Sequence, residues 1–363
     1  MTDLARYDRQ MVLPEVGEAG QRRLAQARVL CIGAGGLGSA VLPYLAGAGI
    51  GRLTVIDDDR VEASNLQRQV LFREADQQRP KVEAAVDALR ALNSGIEIVG
   101  ENGRLDRDNV QRLFEDHDVI VDGSDNFDTK FLAADAAVKF GVPLVYGSVT
   151  GFEAQVTVFD PDHGPCLRCL FPSPPTSWVP NCAEAGVLGP LVGMAGSLQA
   201  MQVIQLIVSQ ALPGRLEPLI GRLWTLDARS MDSHCLRIRK RPDCGLCSLD
   251  PAAVELPRPS RDPGQDIAPN EASQLDDALF LDIREPDEWA AGHIPGAENL
   301  PLSRLLEGER PARLGERPCV VYCTRGTRGE TAARLLAEEG HPRIHNLLGG
   351  LAAWPGPRRQ TDR

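Results

Sequence analysis

The sequence predicts an α/β protein: a mostly parallel sheet flanked by helices, linked to a second, smaller α/β domain. Three observations carry this. Strand and helix patterns alternate from residue 28 to about 148, as in a parallel sheet covered on both faces. Gly33-Ala34-Gly35-Gly36-Leu37-Gly38 joins an apolar strand to a helix, the turn in which glycines let the backbone approach a phosphate. A Pro-rich stretch near 250–270 separates this pattern from a new β/α pattern.

The elements follow in order. Residues 4–26, rich in Arg and Gln, pattern as an amphipathic helical lead-in. Arg28-Val29-Leu30-Cys31-Ile32 reads as a strand, the glycine run opens a helix through Ala48, and the strand Leu53–Ile56 delivers Asp57. Further strands are expected at 96–100, 118–122 and 143–147, with helices at 80–92, 107–116 and 127–140. After 150 come a strand-like run (Ala154 to Phe159), a loop rich in Pro and Ser (172–181), a long apolar helix (190–209) and strand-like runs at 222–227 and 234–239. Pro251, Pro257, Pro259, Pro263 and Pro269 among polar residues suit a solvated extended linker. Beyond it, Ala278–Ile283 and Cys319–Tyr322 read as strands and Glu330–Glu338 as a helix. The expected organisation is a first domain over 1–249, a linker over 250–264 and a second domain over 265–356.

Composition narrows the function. A net charge of −11 over 363 residues argues against general nucleic-acid or membrane-surface binding, which needs a basic face. No run of about 18 uninterrupted apolar residues suggests a membrane span, and Met1-Thr2-Asp3-Leu4-Ala5-Arg6 lacks a signal peptide's basic start and apolar core. The expected compartment is the cytoplasm, where nine cysteines point to metal ligation or thiol chemistry before disulfides.

The glycine loop reads as an adenine-nucleotide site, with Asp57 placed for the ribose. A dinucleotide needs little beyond backbone N–H groups, whereas cleaving ATP needs cations and usually Mg2+. Such groups lie downstream: Asn65-Leu66-Gln67-Arg68-Gln69, then Lys81 at a helix start, then Gly123-Ser124-Asp125-Asn126 at a strand end. Asp125 there is a reasonable Mg2+ anchor, or else the N-cap of the helix beginning near 127. A nicotinamide-dependent dehydrogenase would leave Arg68, Lys81 and Asp125 without a joint purpose.

Arg6-Tyr7-x-Arg9-Gln10, Gly33-x-Gly35-Gly36-x-Gly38, Asp57-x-Asp59, Asn65-Leu66-Gln67-Arg68-Gln69, Pro80-Lys81 and Asp122-x-x-Asp125-Asn126 resemble the ThiF/MoeB family over about residues 4–249. These E1-like enzymes adenylate ubiquitin-like sulfur-carrier proteins of the MoaD/ThiS kind. The resemblance implies a Rossmann-like adenylation domain, Asp57 and Asp59 by the ribose and metal, Arg68 and Lys81 on the phosphates, and Asp125 at Mg2+. It also implies a homodimer in which Arg9 reaches the ATP of the other subunit.

Cys166-x-x-Cys169 and Cys244-x-x-Cys247 can supply four thiolates to one tetrahedral Zn2+. Four protein ligands leave no open position, so this zinc is expected to be structural; the competing readings are a redox dithiol for either pair, or simple core cysteines. The resembling family carries the same paired knuckles.

Cys323-Thr324-Arg325-Gly326-Thr327-Arg328 follows a strand and precedes a helix. Converging backbone N–H groups, the helix dipole and two arginines favour a thiolate and an anion there. That chemistry suits attack on a sulfur donor or a phosphate ester. Leu281-Asp282-Ile283-Arg284-Glu285-Pro286-x-Glu288, Gly292-His293-Ile294-Pro295-Gly296-Ala297 and Gly349-Gly350-Leu351-x-x-Trp354 resemble rhodanese domains, over about residues 265–356. The resemblance implies a persulfide on Cys323, loaded by thiosulfate or a cysteine desulfurase. Where many such loops continue with Ser, Gly329 stands here, which removes a side-chain donor and keeps a backbone N–H. His293 reads as a structural turn residue.

Cys182, beside the Pro-rich loop, could present a thiol to an activated carboxylate or be structural. Cys31, Cys235 and Cys319 are expected in the core. Together these residues predict ATP-dependent adenylation of a carrier's C-terminal carboxylate, then sulfur transfer to form a thiocarboxylate. A non-catalytic scaffold that binds a carrier is the other class left open.

Overall fold

Val29, Leu30, Cys31 and Ile32 are all buried, because a central parallel strand is covered on both faces and must be apolar throughout. The computed structural model describes residues 4–174, 186–257, 265–275, 277–315, 317–341 and 343–359. Two compact units emerge, one comprising the described residues up to 257 and the other those from 265.

In the first unit, a 3-10 turn (Leu4–Tyr7), α1 (Asp8–Met11) and α2 (Gly17–Gln26) lead in. Then come β1 (Arg28–Ile32), α3 (Gly36–Ala48), β2 (Arg52–Asp57), α4 (Lys81–Leu92), β3 (Glu97–Asn102), α5 (Val110–Glu115), β4 (Val119–Asp122) and α6 (Phe127–Phe140). They are followed by β5 (Leu144–Thr150), β6 (Glu153–Phe159), α7 (Leu167–Leu170), α8 (Gly189–Ala211), β7 (Arg222–Asp227) and β8 (Asp232–Arg237). The sheet order is β3-β2-β1-β4-β5-β6-β7-β8, parallel through β5 and antiparallel beyond. Helices α2, α3, α4 and α8 bury one face through Leu24, Leu45, Leu89 and Val203. Helices α5 and α6 bury the other through Leu113, Phe114 and Phe131. By length and composition α8 could cross a membrane, but it packs against α3 and buries Gln199 and Gln202.

The lead-in is not one helix. It breaks between Met11 and Gly17, around Pro14, whose ring opposes a helix interior, and Gly17 turns the chain with φ +57°. Its motif residues are anchors. The Tyr7 ring fills the space a side chain at Gly49 would need, and its hydroxyl accepts from Asn93 Nδ2 at 2.9 Å. Gln10 Nε2 donates to Ala48 O at 2.9 Å and Arg6 Nη1 to Leu92 O at 3.1 Å. Arg9 is left exposed on α1.

Two further expectations are corrected. Cys235 is exposed, not core, because β8 is the sheet's edge strand and all six of its residues are exposed. The start of the Pro-rich stretch is not solvated: Val254 is buried among Val138, Cys166, Cys244 and Leu246, and Lys139 Nζ donates to its carbonyl at 2.6 Å. These four buried apolar neighbours outweigh the extended preference of the flanking prolines.

In the second unit, β9 (Gln265–Ile267), α9 (Pro269–Ala272), β10 (Leu279–Asp282), α10 (Pro286–Ala290), β11 (Glu298–Asn299) and α11 (Leu302–Leu306) precede the loop strand. That strand, β12 (Cys319–Tyr322), leads to α12 (Thr327–Glu338), β13 (Ile344–Leu347) and α13 (Gly350–Ala353). Its parallel sheet has the order β11-β10-β12-β13-β9, with β12 in the centre.

Candidate functional site

The topology places the glycine turn where the first sheet's strand order reverses. β2 and β4 flank β1, so the loops after β1 and β4 diverge at the carboxyl edge, the place where open parallel sheets bind ligands. Gly33 has φ +91°, and a Cβ there would stand 3.0 Å from Gly123 O in the neighbouring loop. A Cβ on Gly38 would overlap Gly33 O, and one on Gly36 would lie 2.7 Å from Val192 Cγ1 of α8. These three glycines are needed for close packing. Gly35 differs: a Cβ there would meet only Gln69 Nε2, at 3.8 Å. Its backbone faces open space.

Asp57, at the end of β2, accepts from Ala34 N at 2.7 Å and from Asp59 N at 2.8 Å. Burial raises its pKa, while Lys81 and those N–H groups work against the rise. Lys81 begins α4, donates its Nζ to Asp59 Oδ2 at 2.7 Å and is only 5% exposed in its side chain. Asn65 is buried and accepts from Glu62 N at 3.1 Å. Arg68 donates to Ser64 O at 2.9 Å, and its Cδ lies close to the Gly36 position. Gln69 is buried with its Oε1 unpaired. Asp125 is exposed and does not cap α6; Asn126 does, accepting from Thr129 N at 2.9 Å. Arg9 stands in no ion pair among the described residues, and Cys182 lies outside them.

Under the Asp125 loop is a polar network that sequence reasoning missed. Lys130 Nζ donates to Asp122 Oδ2 at 2.9 Å and to Gly147 O at 2.7 Å. Ser124 Oγ donates to Asp122 Oδ1 at 2.5 Å, and Gln199 Nε2 to Asp122 O at 2.8 Å. Burial disfavours the Lys130 charge, yet Asp122 overcomes it and raises the lysine's pKa. Lys130 and Gln199 stand among other polar residues of α6 and α8, so no local pattern marks them; their burial does.

Cys166, Cys169, Cys244 and Cys247 converge with all four sulfurs within 4.8 Å of one another. The Cys166–Cys169, Cys166–Cys244 and Cys169–Cys247 separations are 3.8, 3.6 and 3.5 Å. A tetrahedral ion with sulfur at about 2.3 Å spaces its ligands about 3.8 Å apart, so the cluster is compatible with zinc. Arg241 N donates to Cys169 Sγ at 3.4 Å. Burial acts against the Cys244 thiolate, but the Leu246 and Cys247 N–H groups outweigh it and bring that thiol down to about 7. Arg168, inside the first knuckle, is held by both oxygens of buried Asp135 at 2.8 and 2.7 Å.

In the second unit, Cys323 is 1% exposed at the end of β12, and its Sγ accepts from Gly326 N at 3.1 Å. Gly326 turns the chain into α12 with φ +99°. Arg325 is exposed at this turn. Arg328, expected to favour an anion beside Cys323, is engaged by Glu288 through both terminal nitrogens at 2.8 and 2.7 Å. The Gly329 departure has a physical reason: a Cβ there would overlap Asn346 Oδ1, which is buried without a hydrogen-bond partner. Arg284 buttresses the domain, donating to Asp282 Oδ2 and to Gly292 O, both at 2.6 Å. His293 is structural as expected, stacked on Trp289 at 3.5 Å.

A glycine turn at a sheet switch point, with cations beside it, and a buried cysteine over a helix N-terminus define a nucleotide-binding α/β protein with an added thiol-chemistry domain. The chain belongs to the ThiF family, whose model matches residues 7–246, and a rhodanese-like domain matches residues 268–356. It is 39% identical to the probable adenylyltransferase/sulfurtransferase MoeZ of Mycobacterium tuberculosis, over 97% of this chain and 93% of that protein. It is 37% identical to the adenylyltransferase and sulfurtransferase MOCS3 of Aedes aegypti, over 97% of this chain and 86% of that one. Among solved structures it is similar to E. coli MccB with MccA-N7isoASN, at TM-score 0.60 and 24% identity, over 69% of this chain and 76% of that chain. That last likeness is one of fold.

Proposed function

We propose that the chain uses ATP to adenylate the C-terminal carboxylate of a ubiquitin-like sulfur-carrier protein, then transfers sulfur from Cys323 to form a thiocarboxylate. Membership of the ThiF family, the rhodanese-like domain and relatives named for both activities support this reading. The single observation that carries it is the open space at Gly35 beside buried Gln69, a cradle for charge on phosphates. A free carboxylate is a poor electrophile. Its oxygen attacks the α-phosphorus, pyrophosphate leaves, and the acyl-AMP offers a good leaving group.

In this reading Gly33, Gly35, Gly36 and Gly38 shape the cradle, and Asn65, Arg68, Gln69 and Lys81 hold the nucleotide. Asp57 and Asp59 serve the ribose and metal, and Asp125 the Mg2+ that offsets phosphate charge. Arg9 serves the ATP of a partner subunit in a homodimer formed through the first domain. The four cysteines hold a structural zinc. The terminal sulfur of the Cys323 persulfide displaces AMP, leaving the acyl group joined to Cys323 through two sulfurs. A thiol that attacks the Cys323 sulfur releases the thiocarboxylate and leaves a disulfide, while Cys182 is read as presenting its thiol to the activated carboxylate or relaying the persulfide. The persulfide is loaded by thiosulfate or by a cysteine desulfurase, in the cytoplasm.

Carrier-dependent ATP–pyrophosphate exchange tests the first half. Exchange that needs the carrier and no NAD is expected; no exchange with a carrier trapped from lysate would overturn the reading. Gly35→Ala is expected to keep the melting temperature, since its Cβ meets nothing closer than 3.8 Å, and to weaken ATP binding about tenfold or more by filling the cradle. Titration calorimetry with ATP, beside a thermal melt, reads both.

A further inference from the structure

Sulfur donors differ in charge, and the Cys323 loop is built with one cation fewer than its sequence advertises. We infer that Glu288 sets donor preference by neutralising Arg328, turning the loop away from dianionic donors such as thiosulfate and toward alkyl persulfides. The inference rests on the reading of Cys323 as the persulfide carrier and names the donor chemistry that this carrier accepts.

Glu288 lies in α10, where its Oε2 accepts from Glu285 N at 3.3 Å. From there it reaches the cysteine loop at two points. Oε1 accepts from Arg328 Nη2 at 2.7 Å and from Thr324 Oγ1 at 3.1 Å, and Oε2 accepts from Arg328 Nη1 at 2.8 Å. The pair is half sheltered, with side-chain exposures of 22% for Arg328 and 32% for Glu288. Hydrogen bonds from Arg328 first, then its charge, the Glu285 N–H and Thr324, outweigh burial and hold the carboxyl at about 2, so it stays ionised at every working pH. A guanidinium occupied this way gives a bidentate fork to protein rather than to ligand. Among the described residues, exposed Arg325 is the loop cation in no ion pair.

The chemistry makes that difference selective. With thiosulfate, the Cys323 thiolate attacks the outer sulfur, a new S–S bond forms, the old one breaks, and sulfite leaves with the electron pair and two negative charges. With an alkyl persulfide, R–S–SH, the same attack on the outer sulfur gives Cys323–S–SH and releases R–S⁻, with one charge. Removing one cation from the loop therefore penalises the first reaction more than the second.

The test compares donors in the full-length chain, reading persulfide loading on Cys323 by intact mass over time. Glu288→Gln is expected to raise the ratio of kcat/KM for thiosulfate to that for cysteine persulfide about tenfold. Adding Arg328→Ala should return the ratio to the wild-type value or below. The ratio is independent of the folded fraction, because both donors report on the same active molecules. Parallel changes with both donors, or a raised ratio that survives Arg328→Ala, would overturn the role of Glu288. Failure of wild-type Cys323 to load from either donor would instead overturn the persulfide reading on which this one stands.

Discussion

Cys323→Ala is expected to lower thiocarboxylate formation on the carrier by about 10³-fold or more while carrier-dependent ATP–pyrophosphate exchange continues at the wild-type rate. The sulfur is the nucleophile, and no neighbouring hydroxyl or amine can hold a transferable sulfur in its place. The fold should survive, because the loop is held by backbone. Leu351 N donates to Cys323 O at 2.8 Å and Ala352 N to Thr324 O at 2.9 Å, and neither bond involves the thiol. The loss is the Gly326 N–H to Sγ bond at 3.1 Å and a small buried volume, together worth about 1–2 kcal/mol. Intact mass should show one added sulfur atom on the wild-type chain after donor treatment and none on the variant. Sulfur transfer that persists in Cys323→Ala would reduce the second domain to a scaffold, the other class that the sequence left open.

Much of the architecture was legible because buried parallel strands and glycine turns leave local signatures. β1 is apolar and buried from Val29 to Ile32, and the turns at Gly33 and Gly326 fall where the sequence placed them. What could not be read is what depends on neighbours distant in the chain. Cys235 looks like a core residue in an apolar run, yet β8 has a partner on one side only. Pro-rich composition around Val254 suggested a solvated tether, but the cysteine cluster and α6 offer that residue an apolar seat. Arg328 and Glu288 lie 40 residues apart, so the neutralised cation is invisible to any local pattern. The same holds for Asp122, Lys130 and Gln199, which come from three elements and meet only under the Asp125 loop.

That network gives the Asp125 loop a fixed base without using Asp125 itself. Asp122 accepts from Lys130 and from the Ser124 hydroxyl, so the chain leaving β4 is tied down on both sides. Asn126 then starts α6 by capping, and Asp125 is held between two anchored neighbours with its carboxylate exposed. A carboxylate that is positioned by its neighbours but unpaired itself is suited to a cation brought by the nucleotide. In the proposed reading the Gly35 backbone plays the corresponding part for the anionic side of the ligand.

Cys244→Ser, or removal of the metal by chelation, is expected to lower the melting temperature of the first domain by roughly 10 °C. A four-thiolate ion would join Cys166 to Cys244, which are 78 residues apart in the chain. Closing a loop of that length in the unfolded chain is worth about 4 kcal/mol by chain entropy. For a domain of about 250 residues each kcal/mol moves the midpoint by about 2–4 °C, which gives the stated shift. The loss should be local at first. Val254 and Leu246 pack on the cluster, and Lys139 clasps the Val254 carbonyl, so the stretch around 250–257 should gain protease sensitivity before the sheet does. The pH dependence has a definite sign. The thiols must lose their protons to bind the ion, and burial with the neighbouring sulfurs pushes Cys166 up while Cys247 rises to about 11. Stability contributed by the ion is therefore lost as pH falls, and the wild-type melting temperature should converge on that of Cys244→Ser in acid. Metal content by mass spectrometry, with melts across that range, checks both parts. A Cys244→Ser chain that keeps one equivalent of zinc and the wild-type melting temperature would show that the four sulfurs do not act as one clamp.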